Sequence, residues 1–211
     1  MKILLLNPEY PDTFWSFKHA LKFVSKKAAF PPLGLLTVAA MLPPHFETKL
    51  VDMNISKLNE RDIKWADLVF IGGMIVQKES AKKAVKLCNK LGVRTVAGGP
   101  LFTAYHEEFP SVDYLVLNEA EITLPLFLAD LEKGCPKRIY TCEQFADINL
   151  TPLPRWDLVN MKKYSAMSIQ YSRGCPFDCE FCDIVVLNGH LPRTKSQEQM
   201  VRELDALRSA G

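Results

Sequence analysis

Three thiols crowd into eight residues, Cys175-Pro176-Phe177-Asp178-Cys179-Glu180-Phe181-Cys182, with three and then two residues between them. Thiolates this close repel one another unless a metal neutralises them, so the run reads as a metal site. Three Cys ligands on a four-iron cluster leave one iron without protein. That open iron could take a chelating substrate, much as a catalytic zinc keeps an open position. A zinc site with His190 as fourth ligand is the alternative, although zinc ligands usually come as two separated pairs. A loop of free thiols is a third reading, against which the crowding counts. Cys88, Cys135 and Cys142 are scattered, and the whole is not the evenly spread pattern of a secreted disulfide scaffold.

A loop of this kind needs a folded scaffold. The chain has 211 residues, 48% of them apolar, and 26 Lys plus Arg against 24 Asp plus Glu. That composition supports a folded core and excludes disorder. A net charge of +2 argues against broad nucleic-acid binding, which needs a basic face. The opening apolar run, Ile3 to Leu6, is too short for a secretory core, and no stretch is long enough to span a bilayer. A cytoplasmic protein without a transmembrane segment is expected.

Short apolar runs alternate with helical patterns. Strands are predicted at Lys2–Asn7, Thr48–Asp52, Asp67–Gly72, Arg94–Ala97 and Asp113–Leu117. Helices are predicted at Phe17–Lys27, Leu33–Leu42, Lys78–Leu91 and Glu121–Lys133, with Pro31-Pro32 opening the second and Gly92 and Gly134 ending the last two. In the first, Phe17, Leu21 and Val24 share one side, while Lys18, Lys22 and Lys26 form a solvated basic face. These repeats of the βαβ kind imply an α/β fold with a doubly wound parallel sheet, flavodoxin-like or Rossmann-like. Its ligand would lie at the carboxyl ends of the strands. Those ends carry Gly72-Gly73 and Gly98-Gly99, which suit close approach of a phosphate or flat cofactor, or serve turn geometry alone. No G-x-G-x-x-G follows the first strand and no Walker sequence occurs, so nicotinamide and ATP sites are not expected.

The expected division is an α/β domain over 1–134, a proline-punctuated linker over 135–164, and the start of a second domain over 165–211. That last part holds a predicted strand at Ser165–Tyr171, the cysteine run, and a helix at Ser196–Ser209 with Met200, Leu204 and Leu207 on one face. One strand, one loop and one helix cannot bury a core, so the second domain reads as incomplete.

Cys175-x3-Cys179-x-Phe181-Cys182 resembles the signature of the radical S-adenosylmethionine (SAM) superfamily, whose cluster loop follows the first strand of a partial TIM-like barrel. The resemblance implies that Cys175, Cys179 and Cys182 hold a 4Fe–4S cluster and that Phe181 lies beside the adenine of SAM. It further implies reductive SAM cleavage to a 5′-deoxyadenosyl radical, fed by an electron donor such as flavodoxin or ferredoxin. A doubly wound domain carrying Pro31-Pro32-Leu33-Gly34-Leu35-Leu36, joined through Leu153-Pro154-Arg155-Trp156-Asp157-Leu158 to the cluster loop, resembles the cobalamin-binding radical SAM enzymes. Cys182-Asp183-Ile184 and Pro192-Arg193-Thr194-Lys195-Ser196 are similar to the branch that includes hopanoid C-2 methylases. That implies methyl transfer to an unactivated carbon of a small-molecule or lipid substrate, with Gly72, Gly73, Gly98 and Gly99 lining the cobalamin site.

Two departures qualify the resemblance. None of His19, His45, His106 or His190 sits in the D-x-H-x-x-G context that supplies an axial imidazole to cobalt. The family's remaining barrel strands are missing from these residues, so the chain alone is not expected to turn over. Two alternatives stay open: a radical SAM enzyme without cobalamin, and a non-catalytic flavodoxin-like binding module with a zinc site.

Overall fold

Ile3, Leu4, Leu5 and Leu6 leave no polar face on the first strand, so it must lie inside a sheet covered on both sides. The computed structural model, which describes residues 1–13 and 16–211, places it so. β1 (Lys2–Asn7) bonds in parallel to β2 (Glu47–Asp52) on one side and β3 (Leu68–Gly72) on the other. β4 (Arg94–Gly98), β5 (Tyr114–Val116) and β6 (Ile139–Tyr140) extend the sheet in parallel to the order 2-1-3-4-5-6. The order 2-1-3-4-5 is flavodoxin-like and selects that arrangement over the other doubly wound one.

Successive strand residues point to opposite faces. Leu4, Leu6, Val69 and Ile71 meet α3 (Glu60–Trp65), α4 (Lys78–Lys90) and α5 (Pro100–Tyr105) through Ile63, Val85, Leu101 and Phe102. Ile3, Leu5, Leu68 and Phe70 meet α2 (Leu33–Met41) and α6 (Ala120–Glu132) through Leu35, Ala39, Leu124 and Phe127.

Several expectations are corrected. The helix predicted over Phe17–Lys27 is only α1 (Lys18–Phe23), because Phe17 and Ser25 adopt left-handed backbone at φ 50° and 56°. Leu21 is buried, whereas Val24 is exposed. Lys26 donates to the Lys162 carbonyl at 3.1 Å, and the side chain of Lys18 lies outside the described residues. Helices α3 and α5 and strand β6 were not foreseen, and β6 falls within the stretch read as a linker.

The strand predicted over Ser165–Tyr171 is absent. No neighbouring strand among the described residues pairs with it, and only Ser165 and Ala166 donate backbone bonds, to Ala28 and Ala29. Instead β7 (Ser172–Arg173) and β8 (Arg193–Thr194) form a short antiparallel hairpin, with α7 (Ile184–Asn188) between them and α8 (Gln197–Ala210) after them. The face of α8 turned inward is polar, not the predicted apolar one. Gln199 and Glu203 are buried while Leu204 is exposed, because the helix rests on backbone carbonyls: Gln199 donates to Ile148 and Thr151, each at 3.1 Å. Glu203 pairs with buried Lys195. Among the described residues no helix is long and apolar enough to cross a membrane.

The linker is anchored at Tyr164, whose buried hydroxyl donates to Asp52 at 2.9 Å. Asp52 also accepts from Asn7 Nδ2 at 3.0 Å and from the amide and side chain of Asn54. Burial and the Asp52 charge hold the Tyr164 hydroxyl far above its ordinary pKa, so it remains a donor. Replacing Tyr164 by Phe strands one Asp52 oxygen and is expected to lower unfolding free energy by about 1–3 kcal/mol. Urea denaturation checks this, and an unchanged midpoint would contradict it.

Candidate functional site

In an open α/β sheet the crevice forms where neighbouring strands send their helices to opposite faces. Here that point lies between β1, followed by α2, and β3, followed by α4. A cavity of about 510 Å³ opens there, lined by Asn7, Gly72, Gly73, Gly98, Gly99 and Asn118 at the strand ends. All four glycines predicted from sequence are thus brought together. Their reasons for being glycine differ. A Cβ on Gly98 would come within 2.5 Å of the Val116 carbonyl, and Gly99 has φ +85°, so backbone geometry alone requires both. Gly73 has ordinary room.

Gly34, from the Pro31-to-Leu36 run, joins these glycines at the cavity. It lines the cavity from α2, and a Cβ there would meet nothing within 4 Å. It is the second residue of α2, and no packing contact explains the missing side chain there. An open cradle of bare backbone on the cavity wall fits a large flat group lying against it. Tyr10 and Gln77 also reach the wall. Gln77 bridges from Asn7 Oδ1 at 3.0 Å to the Met74 amide at 2.8 Å. Among the described residues no histidine lines the cavity.

The remaining wall comes from the far end of the chain: Gln170, Arg173, Leu187 and Asn188. Arg173 on β7 binds Glu121 through two contacts of 2.6 and 3.1 Å and lies 3.6 Å from Glu119. Its antiparallel partner Arg193 on β8 binds both oxygens of Glu119 at 2.6 and 2.8 Å. Glu119 occupies the N-cap position of α6 without a side-chain capping bond, and Glu121 lies in its first turn. Glu119 also accepts from the Ala146 amide, and Glu121 from the Thr151 hydroxyl. Burial pushes the Glu121 carboxyl up, but the hydrogen bonds and charge of Arg173 outweigh it and hold the carboxyl below its ordinary value.

Between the two arginines runs the thiol loop. Its neck is closed by the Cys175 amide donating to the Gly189 carbonyl at 3.1 Å. Gly174, at φ +92°, approaches the Leu191 carbonyl so closely that a Cβ would sit 2.4 Å away. Cys175 and Cys182 are half-buried and Cys179 is exposed, all as free thiols. They do not converge: among the described residues no group of three His, Cys, Asp or Glu side chains is arranged to hold a metal ion. Three free thiols in one loop could serve as donors to a cluster with one open iron, though their present arrangement does not bring them together. Phe181 is 92% exposed and is not part of the cavity wall. His190, the fourth ligand of the zinc alternative, lies 3.6 Å from Asp178.

A doubly wound sheet with a glycine-lined crevice at its switch point defines a cofactor-binding α/β domain. Residues 24–128 match the B12 binding domain family, and the α/β part of the chain belongs to that family. Along its whole length the chain is 46% identical to an uncharacterized methyltransferase of Synechocystis sp., covering 40% of that protein. It is 37% identical to the hopanoid C-2 methylase of Rhodopseudomonas palustris, covering 41%. Over 86% of its length it is 27% identical to the anaerobic magnesium-protoporphyrin IX monomethyl ester cyclase of Synechocystis sp., covering 42%. The chain therefore spans about two fifths of the length of these curated relatives.

The pH dependence of the hairpin follows from Glu121. A carboxyl whose folded pKa is depressed stabilises above its unfolded value, and that contribution is lost as pH falls through the folded one. Attachment of residues 172–194 is expected to be full at neutral pH and to loosen below about pH 4.3, the unperturbed glutamate value. Hydrogen exchange of β7 and β8, corrected for intrinsic rates, measures it. A protection factor unchanged down to the onset of global unfolding would contradict it.

Proposed function

We propose that the chain binds cobalamin in the cavity, carries a 4Fe–4S cluster on Cys175, Cys179 and Cys182, and serves SAM-dependent methyl transfer to an unactivated carbon. What supports the reading is that one cavity is walled both by the strand ends of the B12 binding domain and by Arg173, Leu187 and Asn188 flanking the thiol loop. When bound, the cluster supplies the electron that cleaves SAM to a 5′-deoxyadenosyl radical, and cobalamin carries the methyl group. The chain's own share is placement. Gly34 keeps backbone bare on the cavity wall, and Asn7, Gln77 and Asn118 offer polar contacts at its strand ends. The thiolates of Cys175, Cys179 and Cys182 would hold three irons and leave the fourth open, with Phe181 covering the adenine of SAM once the loop closes.

The relatives support methyl transfer: two are named methyltransferases or methylases. The similarity to a hopanoid C-2 methylase favours a lipid or other apolar small molecule as substrate. An electron donor of flavodoxin or ferredoxin type would reduce the cluster, and six free cysteines suit a reducing cytoplasmic setting. Residues 165–211 form the cluster-bearing part in this reading, with 1–134 as the cobalamin-binding part and 135–164 as the link.

Anaerobic iron–sulfide reconstitution of the chain and of its Cys175→Ala/Cys179→Ala/Cys182→Ala variant tests the cluster. Iron, labile sulfide and visible absorbance are expected in the first and absent from the second; equal values in both would defeat the reading. One zinc per chain without labile sulfide would favour the zinc-stabilised binding module instead. Titration with hydroxocobalamin separates the reading from a radical SAM enzyme without cobalamin.

Gly34→Ala tests the cradle. Its Cβ enters open space, so the variant is expected to be more stable by about 0.5 kcal/mol yet to bind hydroxocobalamin about tenfold more weakly, as a methyl group intrudes on a packed ligand. Thermal denaturation and absorbance titration read the two effects. Unchanged affinity would remove Gly34 from the site.

A further inference from the structure

The thiol loop leaves the protein through a hairpin of two residues per strand, too little to hold itself in place. What fixes it is a compact set of four charges. Side-chain exposure is 6% for Glu119, 10% for Glu121, 13% for Arg173 and 17% for Arg193, and each arginine engages its carboxylate through both terminal nitrogens. Such buried pairs add little net stability over apolar contacts of the same shape. Bidentate arginine–carboxylate bonds do fix orientation.

Arg173 is two residues before Cys175, and Arg193 is two residues after Leu191, whose carbonyl packs against Gly174. Arg193 also donates to the Asn188 carbonyl at 3.1 Å and to that of Ala146 at 2.7 Å. Glu119, Glu121, Arg173, Leu187 and Asn188 all face the cavity. The same side chains therefore touch the cavity and set the position of the loop neck.

We propose that Glu119 and Glu121 are positioning residues that clamp the neck of the thiol loop beside the cavity, so that filling the cavity and the accessibility of Cys175 are coupled. The coupling rests on the cobalamin reading; the clamp itself does not. By linkage the coupling is reciprocal: a ligand that protects Cys175 is itself bound less well when the loop is modified. Neutralising one partner of a buried pair leaves the other charge uncompensated and opens the neck.

The test is a pulse of N-ethylmaleimide on the anaerobic, metal-free chain, with alkylation of each cysteine read by peptide mass spectrometry, in the presence and absence of hydroxocobalamin. Cys88 is the internal standard for an intact core, because it is fully buried and burial with the Asp113 charge pushes its thiol up to about 11. Glu119→Gln and Glu121→Gln are each expected to raise the Cys175 rate about tenfold while Cys88 stays protected. Combining Glu121→Gln with Arg173→Gln is expected to raise it no further than either change alone, since the two act as one unit. In the unaltered chain hydroxocobalamin is expected to slow Cys175, and in the two glutamine variants it is not.

Rates in the glutamine variants equal to those of the unaltered chain, or independent effects that multiply, would overturn the clamp. Cobalamin protection that persists in both variants would overturn the coupling. Should the glutamine variants expose Cys88, Glu121→Asp, which keeps the charge and shortens the reach, decides by the same comparison. If hydroxocobalamin does not bind the unaltered chain while the variants still open the neck, the cofactor reading fails and the clamp stands.

Discussion

A parallel strand buried on both faces has no side left for polar chemistry, and this constraint organises the whole molecule. Ile3 to Leu6 in β1 and Leu68 to Ile71 in β3 are all covered by helices. Polar Asn7 and Asp52 and the pairs Gly72-Gly73 and Gly98-Gly99 lie instead at the carboxyl ends of β1, β2, β3 and β4. Because α2 and α4 depart to opposite faces, a crevice must open between β1 and β3. The cavity is a consequence of connectivity before it is a feature of any particular side chain.

The second part of the chain is held by different physics. It contributes little apolar area to the sheet, and its contacts are polar: the Arg173 and Arg193 pairs with Glu121 and Glu119, the Tyr164 bond to Asp52, and the Gln199 bonds to linker carbonyls. Polar docking of this type is directional. It sets the neck of the thiol loop beside the cavity while leaving Cys179 and Phe181 at the surface.

Much of the α/β part was legible from the chain alone. Five of six sheet strands and helices α2, α4 and α6 follow from periodicity bounded by Pro and Gly. Short α3 and α5 left fainter signals, the Asn59 cap accepting from the Asp62 amide and Pro100 just after Gly99. Helix α1 was overread because left-handed backbone at Phe17 and Ser25 has no sequence signature. Ser165–Tyr171 was overread because strand-like composition does not make a strand without a partner to bond. Glu119 and Glu121 passed as ordinary acidic residues at a helix N-terminus, which the helix dipole favours anyway; nothing local announces that arginines more than fifty residues away will reach them.

What the linear order settled by itself is chemistry written in near neighbours: three thiols in eight residues, glycine pairs closing apolar strands, and the alternation that dictates a parallel sheet. Spacing along a chain controls those features directly, through repulsion between close sulfurs and the period of a strand. Folding in three dimensions decided the strand order, the gathering of four glycines and Gly34 around one cavity, and the meeting of Glu119 and Glu121 with Arg173 and Arg193. Such pairings depend on which distant segments share a buried, low-dielectric space, where a charge is tolerated only beside its partner, and no local pattern encodes that choice.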